Sequence, residues 1–149
     1  MTRAPISGQP GRHPSGSAPT IVDMATTWTL GGDAADPHRL AAFWAEALGY
    51  VPEPGYDEET GASIVDPDGV GPAISFLAVS EPKSAKNRLH IDIRVAGEGI
   101  RTAESAQRMR TKVAELIPLG ATTVREENYG DVLGHVVMLD PEGNEFCVG

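Results

Sequence analysis

The hydrophobic positions of the chain follow a helical spacing in two segments and an extended spacing in the segments between them. In the first helical segment, five apolar side chains recur every three or four residues, which places them on one face of a helix. They are Leu40, Phe43, Trp44, Ala47 and Leu48. A second stripe of the same kind predicts another amphipathic helix over residues 102–117.

The first predicted helix carries recognisable start and stop signals. Asp36 is a favourable N-cap, and Pro37 suits the first helical position, where its missing N–H loses no hydrogen bond. Gly49 can adopt the left-handed conformation that often ends a helix. We therefore expect this helix to begin at Pro37 and to end just before Gly49.

Short alternating or β-branched runs predict the strands, and turn residues separate them. Gly31 and Gly32 are expected to end or bulge the first strand. The run 73–79 is apolar enough to be buried on both faces. In the run 89–95, aliphatic residues alternate with polar ones, so His90 and Asp92 share a face. The predicted strands are residues 26–30, 50–51, 62–65, 73–79, 89–95, 122–125, 132–139 and 145–148.

A turn motif occurs twice in the chain. Asp66-Pro67-Asp68-Gly69 recurs as Asp140-Pro141-Glu142-Gly143, and a predicted helix ending in Leu-Gly precedes each copy. The shared order predicts a duplicated β-α-β-β-β unit, with unit one over residues 24–80 and unit two over residues 87–149. Two copies of one unit usually face each other, so function is expected in the groove between them.

Composition sets the N-terminal segment apart from the rest of the chain. Residues 1–23 are rich in proline, glycine and serine, which predicts a disordered tail before one domain over residues 24–149. No apolar run is long enough to predict a membrane span, and no secretory signal is recognisable. The single cysteine, Cys147, excludes an internal disulfide and fits a reducing compartment, so we predict a cytoplasmic protein.

The charge balance bears on the kind of partner. The formal net charge is −9, and lysine and arginine do not cluster, so we expect no nucleic-acid partner. The acidity is compatible with a cationic small-molecule ligand, although solubility alone accounts for it.

Several motifs follow one another in an order that resembles a known superfamily. They are Asp36-Pro37, LAAFW at 40–44, ALGY at 47–50, KNRLHID at 86–92 and DPEGNEFC at 140–147. Over residues 24–149 the chain resembles the vicinal oxygen chelate superfamily, and more narrowly its actinobacterial glyoxalase-like branch. The resemblance implies an α+β fold in which two βαβββ units form a curled, mixed-sheet half-barrel cup. The superfamily includes glyoxalase I, dioxygenases, epimerases and metal-free antibiotic-sequestering proteins, so the fold does not choose an activity.

The resemblance also implies where catalytic members hold a divalent metal, on the first and last strands of each unit. In unit two the first-strand position is His90, whereas in unit one it is Thr29, a poor ligand. The last-strand position of unit two carries Cys147 where the family usually has glutamate, and its counterpart in unit one is Ser75 or Leu77.

The donors that remain are too few for a usual metal site. A catalytic zinc site needs about three protein ligands, and hard cations need several oxygens. His90, with Glu145 or Cys147 as a second ligand, does not suffice unless Asp92 or Asp33 moves in. We therefore predict no cofactor and no metal, and if a divalent metal is present we expect His90 and Glu145 to hold it.

The candidate site residues each have a functional and a structural interpretation. His90 and Glu145 are a candidate catalytic acid and base, although each also fits an ordinary hydrogen-bonding role. Cys147 also fits as an inert apolar filler. The pattern leaves open whether the His135 side chain faces the cup. The predicted ligand-binding residues are Thr29, Asp92, His135 and Cys147.

Two functions from different classes follow from these observations. The first is a small-molecule-binding protein with a degenerate metal site that sequesters a drug or natural product. The alternative is a lyase, isomerase or dioxygenase that acts on a small oxygenated substrate through His90 and Glu145, with or without metal. A plain interaction module has no feature in its favour. Open sheet edges and an apolar face predict a homodimer in either case.

Overall fold

The fold was obtained as a computed structural model that describes residues 26–99 and 101–149. The predicted tail, residues 1–23, lies outside the described residues. Within them the chain forms eight strands and two α-helices, with a short 3₁₀ helix, Ile117–Leu119, after the second. The elements are β1 (Leu30–Ala34), α1 (Pro37–Leu48), β2 (Val51–Pro52), β3 (Gly61–Val65), β4 (Ile74–Ala78), β5 (Asp92–Ile93), α2 (Ala103–Leu116), β6 (Thr122–Tyr129), β7 (Val132–Leu139) and β8 (Glu145–Val148).

The strands form two four-stranded mixed sheets, one in each unit. Their orders are β1-β4-β3-β2 and β5-β8-β7-β6. In each sheet the first strand runs parallel to the last, and the remaining pairs are antiparallel. A parallel pair needs a long crossover connection, and each unit supplies a helix within it. The predicted α+β fold with a duplicated βαβββ unit is therefore confirmed.

Both helices begin and end at residues that satisfy their free backbone groups. The Asp36 carboxylate accepts a hydrogen bond from the Arg39 N–H over 3.0 Å, and Gly49 closes α1 in the left-handed conformation with φ 73°. In α2, Thr102 and Ser105 form a reciprocal capping box. The boundaries expected for α1 are confirmed, and α2 agrees with its prediction to within one residue at each end.

The predicted first strand, residues 26–30, is wrong. The strand is Leu30–Ala34, which includes both glycines and pairs along its whole length with β4. A Cβ on Gly32 would lie 3.1 Å from the Phe76 ring, so glycine allows that ring to pack against the strand. The apolar residue Trp28, which suggested the earlier start, is 65% exposed.

Three other strand predictions need correction. β4 is buried on one face only, because Leu77 on its other face is 54% exposed. Of the predicted strand 89–95, only Asp92–Ile93 is regular, and Leu89 is 81% exposed. β6 continues to Tyr129, well beyond the predicted 122–125, because it forms a hairpin with β7. The hairpin has two register irregularities, and neither leaves a mark in the hydrophobic pattern.

Helix α1 joins the two units. The rings of Phe43 and Trp44 pack edge-to-face on Phe146 of β8, with centroids 5.9 and 5.2 Å apart. Phe146 is completely buried, so the core of unit two is completed by a helix of unit one. Aromatic pairs in this geometry contribute about 0.5–1.5 kcal/mol beyond their buried area. No helix in the described part of the chain is long and apolar enough to cross a bilayer.

Candidate functional site

The register of the antiparallel pairs β3–β4 and β7–β8 aligns the last strands of the two units residue by residue. Cys147 pairs with Val137, three residues before Asp140, and Ser75 pairs with Ser63, three residues before Asp66. Ser75 is therefore the unit-one counterpart of Cys147, and Leu77 is not.

The register of the parallel pairs β1–β4 and β5–β8 then aligns the first strands of the two units. Asp92 pairs with Cys147, and Gly31 pairs with Ser75, so Gly31 is the counterpart of Asp92. Two residues earlier in each unit, Thr29 is the counterpart of His90.

Three polar side chains meet where β5 lies against β8. His90 and Asp92 share a face because they are two residues apart in extended backbone, and the register brings Cys147 beside Asp92. One ligand atom from each of the three lies within 4.8 Å of the other two. His90 Nδ1 and Asp92 Oδ1 are 2.9 Å apart, which is a hydrogen bond. We call this group the His-Asp-Cys cluster.

The thiol of the cluster is held in its neutral form. Burial, reinforced by the negative charge of Asp92 and a hydrogen bond to it, raises the pKa of the Cys147 thiol. The positive charges of Arg125 and Lys86 act in the opposite direction, but more weakly. Burial and the neighbouring Asp92 carboxylate therefore disfavour the thiolate, which is the nucleophilic form of Cys147.

Glu145, a predicted partner of His90, is engaged elsewhere. Its carboxylate accepts a hydrogen bond from the Asn87 N–H over 3.0 Å and forms an ion pair with Lys83 at 3.1 Å. The Asn87 hydrogen bond, supported by Lys83, lowers the pKa of the Glu145 carboxyl from 4.5 to about 2. Within the described residues, no hydrogen bond joins Glu145 to His90. Its contacts hold the connector between the units, and its predicted part in catalysis stays a prediction.

His135 lies on the same face of the sheet as Cys147. Val137 pairs with Cys147, so their side chains share a face, and His135 lies on that face because it is two residues before Val137 in β7. His135 Nδ1 is 2.9 Å from the Tyr129 hydroxyl, and the two rings are tilted with centroids 5.7 Å apart. The predicted ligand-binding residue Thr29 is exposed and lies just before β1.

Two functional candidates were missed at the sequence level. Tyr129 meets His135 across the β6–β7 hairpin, and turn residues around Gly130 were a signal for that hairpin. Lys83 reaches Glu145 from the connector, whose path leaves no pattern in the sequence.

A cavity of about 1040 Å³ lies between the units. It is lined by β1, the start of α1, the connector and the turn at 140–145. His90 and Glu145 line this cavity, whereas Asp92 and Cys147 do not. The His-Asp-Cys cluster and the cavity are thus neighbouring features that share His90, and the chemistry of the cluster lies outside the cavity.

Two βαβββ units with this strand order form the fold of the vicinal oxygen chelate superfamily. A family model for the glyoxalase-like domain matches residues 29–149, and the chain belongs to that family. A sequence search of functionally curated proteins finds no match.

Solved structures with the same fold have low sequence identity to this chain. A glyoxalase/bleomycin resistance protein/dioxygenase family enzyme from Burkholderia phytofirmans is 19% identical with a TM-score of 0.59, over 80% of this chain and 94% of its own. A variant of the fosfomycin resistance protein FosX from Listeria monocytogenes, complexed with Mn(II), is 11% identical with a TM-score of 0.59, over 84% and 90%. A possible glyoxalase from Bacillus cereus is 14% identical with a TM-score of 0.56, over 84% and 98%.

The donors present do not fit a metal centre shared between the two units. Unit one offers Thr29, Gly31 and Ser75 at the positions equivalent to the cluster, and none of them is a useful ligand for a divalent ion. Unit two by itself offers one nitrogen, one oxygen and one sulfur ligand. That set has the number and types of ligand found in open zinc sites.

Proposed function

We propose that this protein binds a small molecule on the face of unit two that carries the His-Asp-Cys cluster, and that the metal centre shared between units in its superfamily is degenerate. The observation that supports this most directly is the asymmetry between the units. Unit two carries His90, Asp92 and Cys147, while Thr29, Gly31 and Ser75 are their counterparts in unit one.

The polar face of unit two offers a ligand several kinds of contact. The Asp92 carboxylate is 56% exposed and the His90 ring is 42% exposed, so both are open to a bound molecule. If the Tyr129 hydroxyl donates to His135 Nδ1, the proton of neutral His135 lies on Nε2 and forms a second donor. An exposed face with few fixed contacts favours sequestration of a small polar compound over a single tight substrate pose.

Thermal stabilisation by ligands tests this proposal. The full chain is screened against small natural products and drugs. These include fosfomycin and bleomycin, the two antibiotics that appear in the names of its structural neighbours. A binder raises the melting temperature, and at one hundred times Kd the added stability is about 2.7 kcal/mol. Asp92→Ala abolishes the shift, whereas Asp57→Ala, on an exposed loop, retains it. Stabilisation that survives Asp92→Ala but disappears when the cavity between the units is filled, for example by Gly31→Trp, rejects the proposed location.

One observation favours an enzyme as the second candidate. His90 is hydrogen-bonded to Asp92 at 2.9 Å, which is the arrangement of a general base oriented by a carboxylate. In a lyase or isomerase, the general base would then be His90 and the carboxylate that orients it would be Asp92, not Glu145. Turnover that falls at least about 100-fold in His90→Gln and is unchanged in Glu145→Gln supports this assignment. Ligand binding without turnover in any substrate class supports sequestration.

We also propose that the protein is a homodimer. Leu77 of unit one and Leu89 of unit two are 54% and 81% exposed, and Trp28 is 65% exposed. A second chain that covers these side chains and the open sheet edges would account for their exposure. Sedimentation velocity at micromolar concentration tests the proposal, and a monomer contradicts it.

A further inference from the structure

We infer that His90, Asp92 and Cys147 form a site for a zinc-class divalent cation that is built on unit two alone. Asp92 supplies the ligand that unit one fails to contribute, so the ion is held to one side of the groove between the units. The resemblance implies ligands on both units and gives Asp92 no part in them.

The geometry brings one donor of each kind to the same point. Asp92 is the register partner of Cys147, and His90 precedes Asp92 by two residues on the same face. A tetrahedral ion at about 2.0–2.3 Å from its ligands holds them roughly 3.3–3.8 Å apart. The three ligand atoms lie within 4.8 Å of one another, which is at most about 1 Å beyond this spacing.

Other acidic groups nearby do not compete for this role. The Glu145 carboxylate is occupied by Lys83 and the Asn87 N–H. Among the described residues, the Asp92 carboxylate is hydrogen-bonded to the His90 ring, and Cys147 is its register partner on β8. Both are metal-competent side chains. Replacing the thiol proton and the His90–Asp92 hydrogen bond by three metal bonds satisfies every member of the cluster at once.

The donor set selects among ions. A thiolate and an imidazole favour Zn²⁺ and Co²⁺ over Mn²⁺ and Mg²⁺, which prefer oxygen ligands. The FosX variant from Listeria monocytogenes is complexed with Mn(II), so we expect this chain to differ in its choice of ion. Three ligands with solvent-exposed His90 and Asp92 leave a fourth position open, as in zinc sites that bind water or a second ligand.

The cation site deepens the proposed function. It rests on that function in one respect: the proposed organic ligand would bind to the same face of unit two. Cation binding is measured with the metal alone. Loss of cation binding therefore leaves the ligand screen untouched, and a failed ligand screen leaves the cation site untouched.

Cobalt binding to the metal-free full chain, without an affinity tag, tests the inference. We expect one equivalent of Co²⁺ and the near-ultraviolet absorption of a thiolate bound to cobalt. Zn²⁺ displaces the Co²⁺, and equal concentrations of Mn²⁺ do not. Cys147→Ser removes the thiolate absorption, and Asp92→Asn weakens binding by at least about tenfold. Circular dichroism verifies that each variant is folded.

Two variants serve as matched controls. Thr29→Ala alters the unit-one counterpart of His90, and Glu145→Gln alters the other carboxylate near the face; both are expected to bind Co²⁺ as the unaltered chain does. Binding without thiolate absorption, or full affinity in Asp92→Asn, overturns the inference. Loss of binding in Glu145→Gln with retention in Asp92→Asn overturns it in favour of a His90–Glu145 site.

Discussion

The indole Nε1 of Trp44 donates a hydrogen bond to Asp140 Oδ2 over 3.3 Å, inside the core and between the two units. Asp140 is itself buried, and its Oδ1 accepts hydrogen bonds from the N–H groups of Glu142 and Asn144. The second copy of the repeated turn is therefore fixed to the first helix of the chain through one carboxylate.

We expect Trp44→Phe to destabilise the fold, because it removes one of the donors to a buried carboxylate and leaves a small cavity. Asn144 Nδ2 still donates to Asp140 Oδ2 at 2.9 Å, so the loss is about 1.5–3 kcal/mol, the usual net contribution of a hydrogen bond to a charged group. Urea unfolding followed by circular dichroism measures it. Trp28→Phe is the matched control, since Trp28 is 65% exposed and its loss removes no buried contact. Equal midpoints for the two variants contradict this role of Trp44.

Glu142 is expected to stabilise the start of α1. Its carboxylate oxygens accept hydrogen bonds from the N–H groups of Ala35 and Asp36, at 2.8 and 2.7 Å, where the helix dipole favours negative charge. Glu142→Ala should lose about 0.5–2 kcal/mol of stability, the range for a helix cap. The repeat itself supplies the control: Asp68 is the counterpart of Glu142, and its carboxylate makes no hydrogen bond within the described residues. A similar loss in Asp68→Ala would falsify the specific cap.

Asp66 gives the stability a dependence on acid pH. Its carboxylate accepts hydrogen bonds from the N–H groups of Gly71, Asp68 and Val70, chiefly Gly71, and these lower the pKa of Asp66 below its usual 3.8. A lowered pKa means that the stabilisation is fully present above pH 3.8 and is lost as the pH falls through the lower, folded value.

Comparison of the unaltered chain with Asp66→Asn over a pH series checks this dependence. The unaltered chain should melt at a higher temperature near neutral pH, and the difference should shrink below pH 3.8. Asp57→Asn, in an exposed loop, serves as the control and should show no such convergence. A difference that is constant from neutral to acid pH would mean that the charge of Asp66 is unimportant.

The connector between the units should become susceptible to proteolysis when Glu145 is neutralised. Lys83 donates hydrogen bonds to Glu145 and to the Ala85 carbonyl, which hold the connector against β8. In Glu145→Gln we expect faster trypsin cleavage after Lys83 and Lys86, with little change in global stability because such partly exposed ion pairs contribute at most about 1 kcal/mol. Glu115→Gln, which breaks the exposed Lys112–Glu115 pair, is the control. Identical cleavage rates in both variants argue against a clamping role.

The local signals of the sequence predicted the elements that depend on local physics. The N-cap Asp36 and the stop at Gly49 satisfy backbone groups within a few residues, so the sequence nearby determines them. β1 was misplaced because its position depends on pairing with β4 and on the space that Gly32 leaves for the Phe76 ring. Contacts between distant segments do not produce a periodic pattern of hydrophobic residues in the sequence.

The same distinction applies to the candidate site. His90, Asp92 and Cys147 were each singled out from alternation and motif, but the grouping of all three required the register between β5 and β8. Glu145 appeared equivalent to Cys147 by alternation, and its engagement with Lys83 depends on the path of an irregular connector. The sequence therefore identified the candidate residues, but it did not show that Asp92, and not Glu145, is the carboxylate beside His90.

Ser63 and Ser75 of unit one are register partners that hydrogen-bond to each other at 3.0 Å, and Ser75 also pairs with Gly31. These residues and Gly31 are the counterparts of Val137, Cys147 and Asp92 in the other copy. For protein engineering, unit one offers positions without metal ligands. Gly31 and Ser75 are already register partners, and replacing Ser75 gives up the hydrogen bond between Ser63 and Ser75. A set of Thr29→His, Gly31→Asp and Ser75→Cys would transplant the cluster into the first copy and leave the original for comparison in the same molecule.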